Sequence, residues 1–102
     1  MILDIVKSID DVPIRLTDER WEHILVGHPY MSGFYEIMLQ AVGNPEFLLK
    51  GEKKAKIGIL NTGRRRWLHV VYREINQTDG FIVSAFINND FNRNKIIWSR
   101  QN

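Results

Sequence analysis

The chain contains no cysteine, only three prolines and no long uninterrupted hydrophobic run. The absence of cysteine excludes disulfide bonds and thiolate metal ligands, and with them a disulfide-stapled secreted scaffold. No run approaches the roughly 18 apolar residues that cross a membrane. Residues 1–6 lack the basic and long apolar regions of a signal peptide. We therefore expect a cytoplasmic protein that does not bind membranes.

Motifs for metal and nucleotide triphosphate chemistry are also missing. The three histidines have no carboxylates at matching spacing, and no His-Glu-x-x-His motif occurs. The glycine-containing segment 58–63 is not followed by Lys-Ser or Lys-Thr, as a phosphate-binding loop would be. We therefore expect no metal and no cofactor.

A length of 102 residues, with 44% hydrophobic and 25% charged content, indicates one globular domain over residues 1–102. The net charge of +2 permits nucleic acid as a partner without requiring it. The charges are unevenly distributed. Arg64, Arg65 and Arg66 form one basic cluster, and the C-terminus carries Arg93, Lys95 and Arg100.

The periodicity predicts helices followed by strands. Thr17 is a good N-cap, an apolar stripe runs from Trp21 to His28, and Pro29 ends this helix. A second helix is predicted from Gly33 or Phe34 to Val42. Segments 2–7 and 13–16 indicate a short N-terminal strand or hairpin. Later strands are predicted at 46–49, 53–60, 66–74, 80–88 and 95–99. The expected fold class is α+β, with two N-terminal helices packed on a four- to five-stranded antiparallel sheet.

Alternation within the strands separates an apolar set from a basic, hydrogen-bonding set. The apolar set is predicted to lie beneath the helices and includes Ile57, Val70, Val83 and Ile87. The other face is predicted to present Lys54, Lys56, His69, Arg73 and Ser84, with Trp67 and Phe86 between them. Cations interleaved with aromatic rings suit a phosphate backbone with bases to stack.

Several short segments, in this order, resemble the phage and mobile-element nucleases grouped with barnase, EndoU, colicin and RelE, the BECR fold. They are Ile14–Ile24 with His28-Pro29, then Asn44-Pro45-Glu46, Leu68–Arg73 and Phe81–Phe86. The resemblance spans residues 14–87. It implies a metal-independent endoribonuclease, often a toxin or part of a mobile element. By position it implies active-site roles for His28, Arg73 and Ser84. Many relatives have threonine in place of Ser84, and no acidic base comparable to that of barnase is evident.

Such a ribonuclease uses the 2′-hydroxyl of RNA as its nucleophile and must move two protons while it neutralises the phosphorane. Histidine suits either proton step, which makes His28 and His69 the candidate acid and base. The alternative for His28 is a residue that caps helix carbonyls and packs on the sheet, and for His69 an ordinary solvent-facing strand histidine. His23 lies off the helical stripe and ranks below both.

Arg73 is the candidate for stabilising the transition state, because its planar fork donates two hydrogen bonds to phosphate. The alternative is a surface ion pair with Glu74 or Glu52. Ser84 is predicted to hold a phosphate oxygen, or else to hydrogen-bond a neighbouring strand. The predicted RNA-binding residues are Lys54, Lys56, Arg64, Arg65, Arg66 and Trp67. The alternative for the basic residues among them is that they only solvate a sheet edge or a loop.

The sequence thus predicts an endoribonuclease whose partners are RNA and, for a toxin, a cognate inhibitor or antitoxin protein. Two other hypotheses stay open. A non-catalytic module could bind RNA or a protein partner through the same basic sheet face, and a structural subunit could have that face covered by another chain.

Overall fold

The computed structural model describes residues 1–101, in which two α-helices pack on one face of a seven-stranded sheet. The first strands and helices are β1 (Ile2–Lys7), β2 (Pro13–Thr17), α1 (Asp18–Gly27) and α2 (Tyr35–Gly43). The remaining strands are β3 (Phe47–Lys50), β4 (Lys56–Asn61), β5 (Trp67–Asn76), β6 (Asp79–Asn88) and β7 (Ile96–Ser99). Short 3₁₀ turns cover Pro29–Gly33, Glu52–Lys54 and Arg93–Lys95.

The sheet is larger than predicted and mixed, with strand order β1-β2-β6-β5-β4-β3-β7. The N-terminal hairpin joins it because β2 pairs in parallel with β6, through Ile14 opposite Gly80 and Arg15 opposite Phe81. β7 returns to pair with β3. The α+β class and the five later strands were predicted. The four- to five-stranded antiparallel sheet was wrong, and so was the N-terminal placement of the helices, because a hairpin of the same sheet precedes them.

The two helices form where the sequence predicts them. The Thr17 hydroxyl accepts a hydrogen bond from Arg20 N–H at 3.2 Å, and Asp18 and Glu19 occupy the first turn of α1, where the helix dipole favours acids. His28 caps the C-terminus of α1, and its backbone N–H donates to the Ile24 carbonyl at 2.7 Å. His28 is thereby fixed at the end of the helix.

The main core lies between the helices and one side of the sheet, which we call the helix face. Ile24 and Met38 from the helices and Leu68, Val70 and Ile82 from the central strands are almost entirely buried there. Because directly opposed residues share a face, this register fixes which side chains of β5 and β6 point away from the helices.

Helix α2 approaches the sheet closely at Gly58 of β4. A Cβ atom added at Gly58 would lie 2.0 Å from the Ala41 carbonyl oxygen, in the backbone of α2. Glycine is therefore required here for helix and strand to dock at this separation.

We expect Gly58→Ala to lower the free energy of unfolding by at least about 1–3 kcal/mol, because the clash is with backbone. Denaturant unfolding measures this. Gly27→Ala is the matched control, since a Cβ there meets nothing within 4 Å. Equal stabilities of the two variants would contradict the close approach.

A second, smaller core lies on the opposite side of the sheet. The segment after β6 folds back so that Phe91 packs against Trp67, with ring centroids 4.8 Å apart, and against Phe47 at 5.1 Å. Leu49 and Ile59 are buried beneath it. This segment covers β3 and β4 but leaves part of β5 and β6 uncovered. We call the uncovered part the open face, and it comprises Val71, Arg73, Phe81, Ser84 and Phe86.

A β-bulge changes the predicted assignment of β6. Ser84 is opposite Val71, but Ile82 rather than Val83 is opposite Tyr72, so Val83 is an extra residue. Ile82 therefore enters the core with 1% exposure. The prediction that Val83 is buried beneath the helices was wrong, because the insertion reverses the alternation on its N-terminal side.

Strand β4 is inverted relative to the prediction. Ile57 is opposite Val71 and Ile59 opposite His69, so both isoleucines point away from the helices. Lys56 and Gly58 lie on the helix face instead. The predicted faces of Ile57 and Lys56 were therefore both wrong. The reason is that the second core provides an apolar environment on the side of the sheet that was expected to be polar.

Candidate active site on the open face

Two histidines from distant parts of the chain contact the ring of Phe86. The His69 ring stacks on Phe86 with centroids 4.8 Å apart and planes at 17°. The His28 ring lies 5.8 Å from Phe86, tilted by 36°. α1 brings His28 to the edge of β6, whereas His69 is on β5, directly opposite Phe86. The fold therefore gathers both predicted histidines around one aromatic ring.

The orientation of His69 is fixed by the backbone. Its Nδ1 donates a hydrogen bond to the Trp67 carbonyl at 2.9 Å, which leaves Nε2 as the acceptor of the neutral ring. The residue is 6% exposed, and this burial lowers the pKa of His69 despite the hydrogen bond. Burial thus favours the neutral imidazole of His69, in which Nε2 is the unprotonated nitrogen.

The lowered pKa of His69 makes stability depend on pH. Below the unfolded-state value of about 6.5, the unfolded chain binds a proton that the folded chain resists. The free energy of unfolding is therefore expected to fall as pH drops from about 7 through the lowered folded-state pKa. The His69→Phe variant should not show this decrease in the free energy of unfolding. The control variant His23→Ala, which changes an exposed histidine, should still show it. Denaturant titrations between pH 7 and 5 test this, and equal slopes for wild type and His69→Phe would contradict it.

His28 is held by Tyr30. The Tyr30 hydroxyl lies 3.3 Å from His28 Nδ1 and accepts a hydrogen bond from the Ile87 backbone N–H at 3.0 Å. Ile87 lies on the edge of β6 beyond the short parallel pairing with β2. Tyr30 thereby anchors His28 to the sheet through Nδ1 and leaves Nε2 free to exchange a proton.

Ser84 and Arg73 continue the open face along the strands. Ser84 is opposite Val71, so it lies between the level of His69 and the level of Arg73. Each level is two residues, or about 7 Å, along the strands. His69 and Arg73 are therefore about 13 Å apart by backbone, and a group placed over Ser84 lies between their side chains.

The Arg73 side chain is partly exposed and makes no hydrogen bond or ion pair with any other residue in the range 1–101. The alternative partner Glu74 lies on the helix face, where Ser8 donates to it at 2.6 Å and Lys56 pairs with it. The guanidinium of Arg73 is consequently available to an anion on the open face.

The predicted RNA-binding residues do not form one surface. Lys56 pairs with Asp10 at 2.5 Å and with Glu74, and these hydrogen bonds raise its pKa although burial opposes them. Lys54 is exposed in a 3₁₀ turn rather than in a strand. Trp67 packs in the second core. Three of the predicted residues are exposed together at the β4–β5 turn, namely Arg64, Arg65 and Arg66.

Sequence reasoning missed Arg15 and Phe81 as part of this region. Arg15 lies over the Phe81 ring, 5.6 Å from its centroid, and pairs with Asp79. Arg15 is thus a second cation next to Arg73, since Arg73 is opposite Phe81. A signal was present in the sequence Ile14-Arg15-Leu16, where an arginine stands between two apolar residues and therefore points to the opposite face of the strand.

Within residues 1–101, no group of three or more histidine or acidic side chains is arranged to hold a metal ion. No helix in the same range is long and apolar enough to cross a membrane.

Comparison of the chain with family models, curated proteins and solved structures found no match. The resemblance to the BECR nucleases therefore stays a prediction.

Proposed function

We propose that the chain is an endoribonuclease that cleaves RNA through attack of the 2′-hydroxyl on the adjacent phosphorus, without needing a metal. The observation that supports this best is the contact of both His28 and His69 with Phe86, with Ser84 and the unpaired side chain of Arg73 on the same face of the sheet as His69. These side chains supply the proton transfers and the charge neutralisation that the reaction requires.

The two histidines have different roles in this proposal. His69 accepts the proton of the 2′-hydroxyl at Nε2, because its Nδ1 is committed to the Trp67 carbonyl and its ring is neutral. The new bond joins the 2′-oxygen to phosphorus, and the bond to the 5′-oxygen breaks. His28 protonates the departing 5′-oxygen through Nε2. Because both rings contact Phe86, the two histidines can act on the attacking and leaving oxygens of one phosphate bound next to this ring.

The phosphate itself is placed over Ser84. The hydroxyl donates a hydrogen bond to a non-bridging oxygen, and the Arg73 guanidinium neutralises the extra negative charge of the phosphorane. Arg15 adds a second cation at the level of Arg73, although Asp79 offsets part of its charge.

Incubation of the purified protein with total RNA in the presence of a chelator tests the proposal. The expected products carry 2′,3′-cyclic phosphate ends, because the nucleophile belongs to the RNA. Activity that chelation abolishes and magnesium restores would contradict the proposed chemistry. Tight RNA binding without any cleavage would support the binding module instead, and a lack of both would favour the structural subunit.

A further inference from the structure

A second concave region adjoins the candidate active site on the far side of His69 from Phe86. It is a cavity of about 390 Å³ between the β3–β4 turn and the 3₁₀ turn Arg93–Lys95. This volume lies within the roughly 300–1,000 Å³ that small-molecule sites occupy. His69 lines the cavity and also stacks on Phe86, so one ring separates the two regions.

The lining of the cavity combines an apolar floor with a charged rim. Leu49 and Ile57 provide the floor, and the exposed residues Lys50 and Lys95 provide two cations on the rim. Glu52 is the carboxylate on the rim, and an ionised carboxylate only accepts hydrogen bonds. A flat ligand that carries an anionic group and a hydrogen-bond donor would match the apolar floor, the two lysines and the carboxylate.

Both walls of the cavity are fixed by internal hydrogen bonds. In the β3–β4 turn, Gly51 N–H donates to the Ala55 carbonyl at 2.8 Å and Ala55 N–H donates to the Glu52 carbonyl at 2.9 Å. In the opposite wall, the Asn92 side chain accepts from Asn94 N–H at 3.0 Å. The cavity is therefore a built feature of the fold rather than a gap between free loops.

We propose that this cavity binds one nucleobase of single-stranded RNA, next to the phosphate that is cleaved. The base lies on Leu49 and Ile57, a neighbouring phosphate contacts Lys50 and Lys95, and Glu52 accepts a hydrogen bond from an exocyclic amino group. Because uracil has no amino group, the site prefers the other three bases. This assignment rests on the proposed function, since it makes cleavage selective for the nucleotide beside His69.

The test measures binding separately from cleavage. Nucleoside 3′-monophosphates of all four bases, and ribose phosphate without a base, are titrated to millimolar concentration by calorimetry and by NMR of the His69 ring. We expect the three amino-bearing nucleotides to bind about tenfold or more tighter than uridine monophosphate, because one hydrogen bond to a charged group is lost with uracil. Glu52→Ala, which removes the acceptor, should abolish this preference, and ribose phosphate should bind weakest.

A charge-matched pair of variants locates the site. Lys50→Ala/Lys95→Ala is expected to reduce the slope of log affinity against log salt for a short RNA by about 0.7 per lysine. The control Lys7→Ala/Lys53→Ala removes the same charge from exposed positions that do not line the cavity. Equal behaviour of the two double variants, or no nucleotide binding at millimolar concentration, would overturn the inference even if RNA is cleaved. Nucleotide binding at the cavity without RNA cleavage would instead leave the inference standing and contradict the proposed function.

Discussion

Arg73→Ala is expected to lower the rate constant of RNA cleavage by about 10² to 10³, comparable to deleting one preorganised donor to a transition-state oxyanion. The affinity for RNA should change much less, because the charge that Arg73 neutralises develops mainly in the transition state. Single-turnover cleavage and dissociation constants, measured at matched salt, separate the two quantities.

Two other variants sharpen the Arg73 experiment. Arg73→Lys retains the charge but loses the planar fork, so it should recover only part of the rate. Arg100→Ala removes an equal charge next to β7, an edge strand that β4 and β3 separate from β5, and should cleave at the wild-type rate. If Arg73→Ala also cleaves normally, Arg73 does not belong to the active site. If wild type binds but never cleaves, and Arg73→Ala loses affinity, the open face is a binding module.

His69→Phe is expected to lower cleavage by about 10² to 10⁴, the range that general acid–base catalysis contributes. Phenylalanine keeps a ring that can stack on Phe86, so the loss reports on proton transfer rather than on packing. Comparable unfolding midpoints of the two proteins at pH 7.5 verify that the fold is retained.

The pH profile distinguishes a general base from a merely structural histidine. Burial lowers the pKa of His69, so wild-type kcat/KM should decrease only below the ordinary histidine value of about 6.5. The residual activity of His69→Phe should lack this decrease. A variant that keeps the acidic limb would show that another group is the base.

The local elements were predictable because their signals are local. Thr17 marks the start of α1, and Pro29 marks the point where the chain leaves it. Turn residues separate the five later strands. His69 and Arg73 were correctly predicted to share a face, since both occupy odd positions of the uninterrupted strand β5.

The wrong assignments in β4 and β6 arose because the sequence of a strand does not determine which of its two faces packs against the helices. The apolar row Ile57 and Ile59 matches either core, and only the return of Phe91 over the sheet decides between them. The bulge at Val83 leaves no clear trace in an apolar strand, yet it reverses the order of Phe81 and Ile82 relative to the helices.

The candidate site was only partly predictable for a related reason. The pairing of β2 with β6 brings Arg15 to Phe81 across 66 residues of sequence, and strand alternation carries no information about such a contact. Likewise, Lys56 looks like an accessible cation in the sequence. Its pairing with Asp10 depends on the conformation of the β1–β2 loop, and its pairing with Glu74 depends on the register of β4 against β5.

Attack by the 2′-hydroxyl is tested most directly with one RNA oligonucleotide and a copy that lacks a single 2′-hydroxyl, at the nucleotide 5′ to the cleaved bond. We expect the protein to cleave the all-ribose strand in chelator to a 2′,3′-cyclic phosphate and to leave the 2′-deoxy strand intact at that bond. Equal cleavage of both strands, or no cleavage of either by folded protein, would contradict this mechanism.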